Sequence, residues 1–250
     1  MTRALTLLLL AVLAGAPLAA AAKQGVTFKA ADGVRVFADF YQAKDPKASI
    51  IVLFHRAGSN KAEYASIAPR LKHDGFACLA VDLRSGGDDF HSTNQTAAGF
   101  GRKAGYLESI PDMEAALGWA KGHARTVLLW GSSYSAALVF VVTDRHRAAV
   151  AGVLAFSPGE YFDSDKHLVR NAARNLKVPV FITQAKDPVE IAHAKQILDV
   201  IAVRPAVQFI PKTAGIHGSS TLDGAEDPQG AAENWAAVEK FLLIFAHAPR

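Results

Sequence analysis

The chain holds 250 residues, half of them apolar and one in five charged, with a formal net charge of +4. That supply of apolar side chains suits one globular domain with a full-sized core, with or without a short appendage. The basic residues are scattered and form no stripe interleaved with aromatics, which argues against a nucleic-acid partner. Cys78 is the single cysteine, so no internal disulfide can form, and its place in "GFACLAVDL" marks it as a small buried hydrophobe.

Residues 1–22, "MTRALTLLLLAVLAGAPLAAAA", place a cation at Arg3, an apolar stretch from Leu5 to Leu13 and small residues up to Ala22. This is the layout of a cleavable signal peptide with an A-x-A site before Lys23, and it implies a secreted or periplasmic protein. An uncleaved anchor is the alternative, but the alanine-rich end is weakly apolar and Lys23 follows at once. Removal of Arg3 with the leader leaves a net charge of +3 and no expected membrane span. Residues 23–250 then read as one domain.

In chain order that domain begins with two strand-like runs, "VTFKA" and "VRVFADFYQA", and then alternates. "SIIVLFH" precedes a helix predicted over Lys61–Lys72, and "FACLAVDL" precedes a long polar loop from Arg84 to Ser109. A helix follows over Pro111–His123, then "TVLLW" and a helix over Tyr134–Asp144. "AGVLAFS" leads into a segment from Gly159 to Lys177 with one short helical piece, "DKHLVRNAARNL". "VPVFITQA" precedes a helix over Val189–Ala202, and "VQFIP" is followed at a distance by Gly230–Ala248. The later strands are short and continuously apolar, as strands covered on both faces are. Two strands followed by strand–helix alternation predict an α/β fold: a mostly parallel sheet of about eight strands with helices on both faces. Ligands in such sheets bind beyond the carboxyl ends of the strands.

Candidate chemistry sits there. "TVLLW" runs into Gly131-Ser132-Ser133-Tyr134-Ser135-Ala136 and a helix. A sharp strand-to-helix turn lifts its central side chain above the sheet and needs small residues two positions to either side. With Ser133 at the centre those neighbours are Gly131 and Ser135; with Ser132 they would be Trp130 and Tyr134, which are too large. Ser133 is therefore the nucleophile candidate, and Ser132 and Ser135 read as residues chosen for small size. A serine needs a base, and the base needs an acid to hold its tautomer. Asp187 follows "VPVFITQA" and His217 follows the next strand in "TAGIHGSS", the order serine, aspartate, histidine expected of this architecture. Asp187 has an alternative role as the cap of the helix beginning near Val189. The oxyanion donors expected are the backbone N–H of Tyr134 and that of Arg56 or Ala57 in "LFHRAGSN", with His55 orienting that loop. Asp88, Asp89 and His91 read as solvated loop groups and not as metal ligands.

The segments "LFHRAGSN", "VDLRSGG", "GSSYSA", "AKDP" and "GIHG" resemble those of α/β-hydrolases, and within them the dienelactone-hydrolase-like group. The resemblance covers nearly all of the chain after the leader. It implies an α/β-hydrolase fold and a Ser133–Asp187–His217 triad; the chemistry expected of that triad needs no cofactor. Two departures matter: Ser135 stands where the turn usually ends in glycine, and dienelactone hydrolases proper carry cysteine at the position of Ser133. Their substrate is therefore not implied. The expectation is a carboxylic ester hydrolase acting through an acyl-enzyme on a small or accessible acyl substrate. The segment at Gly159–Lys177 leaves only a minimal lid, and the Arg84–Ser109 loop is expected at the rim. A peptidase, an acyltransferase or a catalytically silent binding protein on the same fold remain the alternatives.

Overall fold

The computed structural model describes residues 23–246, so the expected leader and its expected cleavage point lie outside the described residues. Eight strands form one sheet: β1 (Gln24–Lys29), β2 (Arg35–Tyr41), β3 (Ile50–Phe54), β4 (Ala77–Val81), β5 (Val127–Ser132), β6 (Gly152–Phe156), β7 (Val180–Thr183) and β8 (Ala206–Phe209). Their order across the sheet is β1-β2-β4-β3-β5-β6-β7-β8. The β1–β2 and β2–β4 pairings are antiparallel and the rest are parallel. The α/β-hydrolase architecture and the strand positions agree with the sequence.

Among the described residues seven α-helices accompany the strands, six of them between strands and the last after β8: α1 (Ile67–His73), α2 (Gln95–Phe100), α3 (Ile110–His123), α4 (Tyr134–Arg145), α5 (Leu168–Arg174), α6 (Pro188–Leu198) and α7 (Ala231–Ala246). The helix expected over 61–72 is broken into a 3₁₀ turn at Lys61–Tyr64 and α1. Asn60 causes the early start, because its side chain accepts the Ala62 N–H at 2.9 Å. The Arg84–Ser109 loop contains α2, capped by Asn94, whose side chain accepts from Ala97 N.

The alternation of side chains along β3 explains its continuous apolarity. Ile50, Val52 and Phe54 join the core on one face, and Ile51 and Leu53 join the core on the other. Helices α3, α4, α5 and α6 supply the first core, whereas α1 and α7 supply the second. All five β3 side chains are buried, each such burial stabilising the fold by about 1.5–3 kcal/mol. Cys78 belongs to the second core with 0 % exposure, as the sequence implied.

Strand order reverses between β3 and β5: the chain leaves β3 toward β4 on one side and later returns to β5 on the other. The register pairs Phe54 with Gly131, so the carboxyl ends of these two strands lie level. The crevice at such a reversal is where this class of sheet presents a site.

Candidate active site

At the end of β5 the chain turns into α4 through Ser133, which adopts φ 62° and ψ −124°. That left-handed conformation is strained for a residue with a Cβ. It persists because its surroundings fix it: Ser133 N donates to Phe156 O at 2.8 Å, and Ala137 N returns to Ser133 O. Gly131 is required by space, since a Cβ there would sit 2.4 Å from Ser135 O and 2.5 Å from Ala136 N. Ser133 is half-buried at the mouth of the crevice, while Ser132 and Ser135 are completely buried.

The two buried serines do more than save space, which corrects the reading of them as small fillers. Ser135 Oγ accepts from Ser132 N at 2.8 Å and lies 2.7 Å from Phe54 O, joining the elbow to β3. Ser132 Oγ donates to Glu63 Oε1 at 2.6 Å and accepts from Ser219 N at 2.9 Å. Sequence gave no sign of the Glu63 partner, because it comes from a turn 69 residues away.

The structure brings His217 to Ser133. Its Nε2 lies 2.8 Å from Ser133 Oγ, and its side chain is 42 % exposed. The loop that carries it is anchored just beyond: Gly218 N donates to Ser157 Oγ at 2.9 Å, and Ser219 N to Ser132 Oγ. Gly218 has φ +74°, and a Cβ on it would meet Ser132 Oγ at 2.5 Å, so the close approach of the two loops depends on this glycine.

The acid beside His217 is not Asp187. His217 Nδ1 lies 2.7 Å from Glu190 Oε1, and Glu190 Oε2 accepts from Ala185 N at 3.0 Å. Asp187 is exposed and turned into its own helix, where Oδ1 accepts from Val189 N at 2.9 Å and Glu190 N at 3.0 Å. It is the N-cap of α6, the alternative role noted for it above. The physical reason is helix geometry. Side chains tilt toward the helix N-terminus, so a glutamate in the first turn of α6 reaches back to the end of β7. The D-P-V-E spacing after the strand was the available signal. Burial acts to raise the Glu190 carboxyl, but hydrogen bonds from His217 and Ser157 and the charge of His217 outweigh it and hold the carboxyl below its usual value.

Of the two amides considered beside Tyr134, Arg56 is already committed: its N–H donates to Glu63 Oε2 at 2.8 Å. Ala57 N–H donates to no group among the described residues. Tyr134 stands at the first position of α4, where no carbonyl of the helix precedes it. His55 is fully buried and orients this loop: its Nδ1 meets Arg56 O at 2.7 Å and its Nε2 accepts from Leu83 N at 2.9 Å. Burial pushes its pKa down to about 4, so the ring is neutral.

Around the crevice, the loop after β4 is stitched to the Arg56–Asn60 turn. Asn60 Nδ2 donates to Gly87 O, Asp89 O and Ser92 O. Asp88 accepts from Asn94 N at 3.0 Å, and Asp89 faces Arg56 at 3.4 Å. Asn94, the acceptor residue of an N-Q-T sequon, is 1 % exposed, with its amide donating to Leu83 O and Ser59 O. The Gly159–Lys177 segment contributes Tyr161, whose hydroxyl donates to Ser157 O at 2.6 Å. Burial raises the phenol above its usual range, keeping it neutral. Beyond Tyr161 this segment carries only the seven-residue α5.

The family model described as the dienelactone hydrolase family matches residues 37–243. Among solved structures, a dienelactone hydrolase from Anabaena variabilis is similar at 15 % identity and a TM-score of 0.69, covering 90 % of this chain and 98 % of that one. An esterase from Pyrococcus furiosus shares 19 % identity with a TM-score of 0.69, over 90 % of this chain and 93 % of its own. Est1E from Butyrivibrio proteoclasticus, solved with ferulic acid bound, shares 14 % identity with a TM-score of 0.68, over 89 % and 100 % of the two chains. No curated protein matches the sequence.

Proposed function

From the premise that this chain belongs to the dienelactone hydrolase family, and is a hydrolase, we propose that it is a serine carboxylic ester hydrolase exported from the cytoplasm. The observation that carries this reading is the Ser133 Oγ–His217 Nε2 distance of 2.8 Å at a strained turn. Ser133 Oγ attacks the acyl carbon while His217 Nε2 takes its proton. The tetrahedral oxyanion is received by the N–H groups of Tyr134 and Ala57, each such donor contributing about 100- to 1,000-fold in rate. His217 then protonates the departing alcohol oxygen, and the C–O bond breaks to leave Ser133 acylated. Water, deprotonated by His217, attacks the acyl-enzyme and releases the acid with Ser133 restored. Glu190 accepts the Nδ1–H of His217, which fixes the tautomer and offsets the imidazolium charge. This chemistry requires no dissociable cofactor.

A Ser133 that is only partly buried and the thin cover from α5 suit small or accessible acyl groups. Export rests on the leader pattern of residues 1–22, and N-terminal sequencing of the protein recovered from a periplasmic fraction should begin at Lys23. The activity is tested with p-nitrophenyl acetate and a fluorophosphonate probe. Wild type should turn over the ester and take up one label per chain, and Ser133→Ala should do neither. Folded wild-type protein that takes no label and hydrolyses no short ester would overturn the proposal in favour of a binding role.

A further inference from the structure

Glu63 is a carboxylate with 4 % exposure that no step above uses. It rises from the 3₁₀ turn after Asn60 and lies against the underside of the crevice. Its Oε2 accepts the Arg56 N–H at 2.8 Å. Its Oε1 accepts the Ser132 hydroxyl at 2.6 Å. Through Ser132 Oγ it is linked to Ser219 N at 2.9 Å, two residues beyond His217. The two neighbouring cations are engaged elsewhere: Lys61 Nζ donates to Asp82 Oδ2 at 2.6 Å and Gln95 Oε1 at 2.9 Å, and the Arg56 guanidinium reaches Ser220 Oγ at 2.7 Å and Asp89 at 3.4 Å. Glu63 is therefore held by hydrogen bonds rather than by an ion pair.

A buried carboxylate without a paired cation is costly, and its worth depends on the donors it satisfies. Here the donors come from separate loops, each next to a working atom. Arg56 precedes Ala57, the proposed oxyanion donor, and Ser132 precedes the proposed nucleophile; Ser132 in turn accepts from Ser219 N, which follows the histidine loop. A carboxylate offers one oxygen to the Arg56 N–H and the other to the Ser132 O–H. Turning the Arg56 N–H toward Glu63 also removes it from competition for the substrate oxygen.

Resting on the ester-hydrolase reading above, we infer that Glu63 is a positioning residue for acyl transfer, one carboxylate that holds the oxyanion loop, the nucleophile turn and the histidine loop in mutual register. It touches no reacting atom. Its effect arises because displacement of a reacting group by about 1 Å costs about 100-fold in rate.

The test compares Glu63→Gln, Ser132→Ala and the double variant, using p-nitrophenyl acetate kinetics, fluorophosphonate titration of competent sites and thermal melting. In Glu63→Gln the side-chain carbonyl can still serve Arg56, but the amide must donate to Ser132 Oγ, which reverses that end of the network. The expected result is a fall in kcat of about 10- to 100-fold per titrated site, with KM within about twofold of wild type. Ser132→Ala should fall similarly, and the double variant should be no worse than the poorer single, because both remove one link. If Glu63→Gln does not fold, Ser132→Ala carries the kcat-against-KM comparison by itself. Folded variants with kcat within twofold of wild type, a change confined to KM, or losses that multiply in the double variant would each overturn the inference. An inactive, unlabelled wild type would instead overturn the enzyme assignment, so the two failures are distinguishable.

Discussion

At the exit of β5 the polar atoms around Ser133 are committed. Ser132 Oγ has two partners, Ser135 Oγ bridges to β3, and Gly131 leaves no room for a Cβ. At the exit of β7 the backbone is relaxed: Asp187 has φ −124° and ψ 131°, is exposed, and does no more than start a helix. The carboxylate that reaches His217 comes from one turn into that helix. The proposed nucleophile, Ser133, is thus held by a strained backbone, whereas the proposed acid, Glu190, needs only a carboxylate whose reach ends at the imidazole. Substitutions at the two turns should therefore differ in kind as well as in size.

The largest expected effect is at Ser133. Ser133→Ala should lower kcat for p-nitrophenyl acetate by about 10⁵- to 10⁶-fold with an unchanged melting temperature. Next is Glu190→Gln, which keeps the shape but loses the charge and reverses a hydrogen bond; kcat should fall by about 10³- to 10⁴-fold. Gly131→Ala sharpens the contrast from the stability side. Its Cβ would sit 2.4 Å from backbone, and denaturant unfolding should show a loss of about 2–3 kcal/mol.

His55 supplies a pH signature for the oxyanion side of the crevice. Its folded pKa of about 4 lies below the unfolded value of 6.5, so the unfolded chain binds the proton first as pH falls. Stability from neutral His55 is present above about pH 6.5 and is lost between there and pH 4. Between pH 7 and pH 5 this group should remove about 2 kcal/mol, a loss absent from His55→Gln when both proteins are unfolded in urea. The smallest effect is at Asp187: Asp187→Ala should cost about 1 kcal/mol of stability through the lost cap and leave kcat within about threefold.

Much of this was legible in the sequence because it rests on local spacing. Continuous apolar runs marked the strands buried on both faces, and the bulk of Trp130 and Tyr134 against Gly131 and Ser135 selected Ser133 over Ser132. His217 followed from its place beyond the last strand. The sequence pointed to Asp187 and the structure places Glu190 beside His217, because strand exit and helix cap coincide at Asp187 while the deciding quantity is how far a glutamate side chain leans back along its helix. Arg56 was left level with Ala57 because what separates them is the Glu63 carboxylate, seven residues on, whose reach back to the Arg56 N–H has no sequence pattern. The jobs of Ser132 and Asn94 are likewise set by partners far along the chain, which no local pattern encodes.

The central claim is that Ser133, His217 and Glu190 work as one unit, with Asp187 outside it. It is tested most directly by measuring kcat/KM for p-nitrophenyl acetate in Glu190→Gln and Asp187→Asn side by side, each normalised to sites labelled by the fluorophosphonate. The expected result is a loss of about 1,000-fold or more in the first and less than about threefold in the second. A large loss in Asp187→Asn with near wild-type turnover in Glu190→Gln would contradict it.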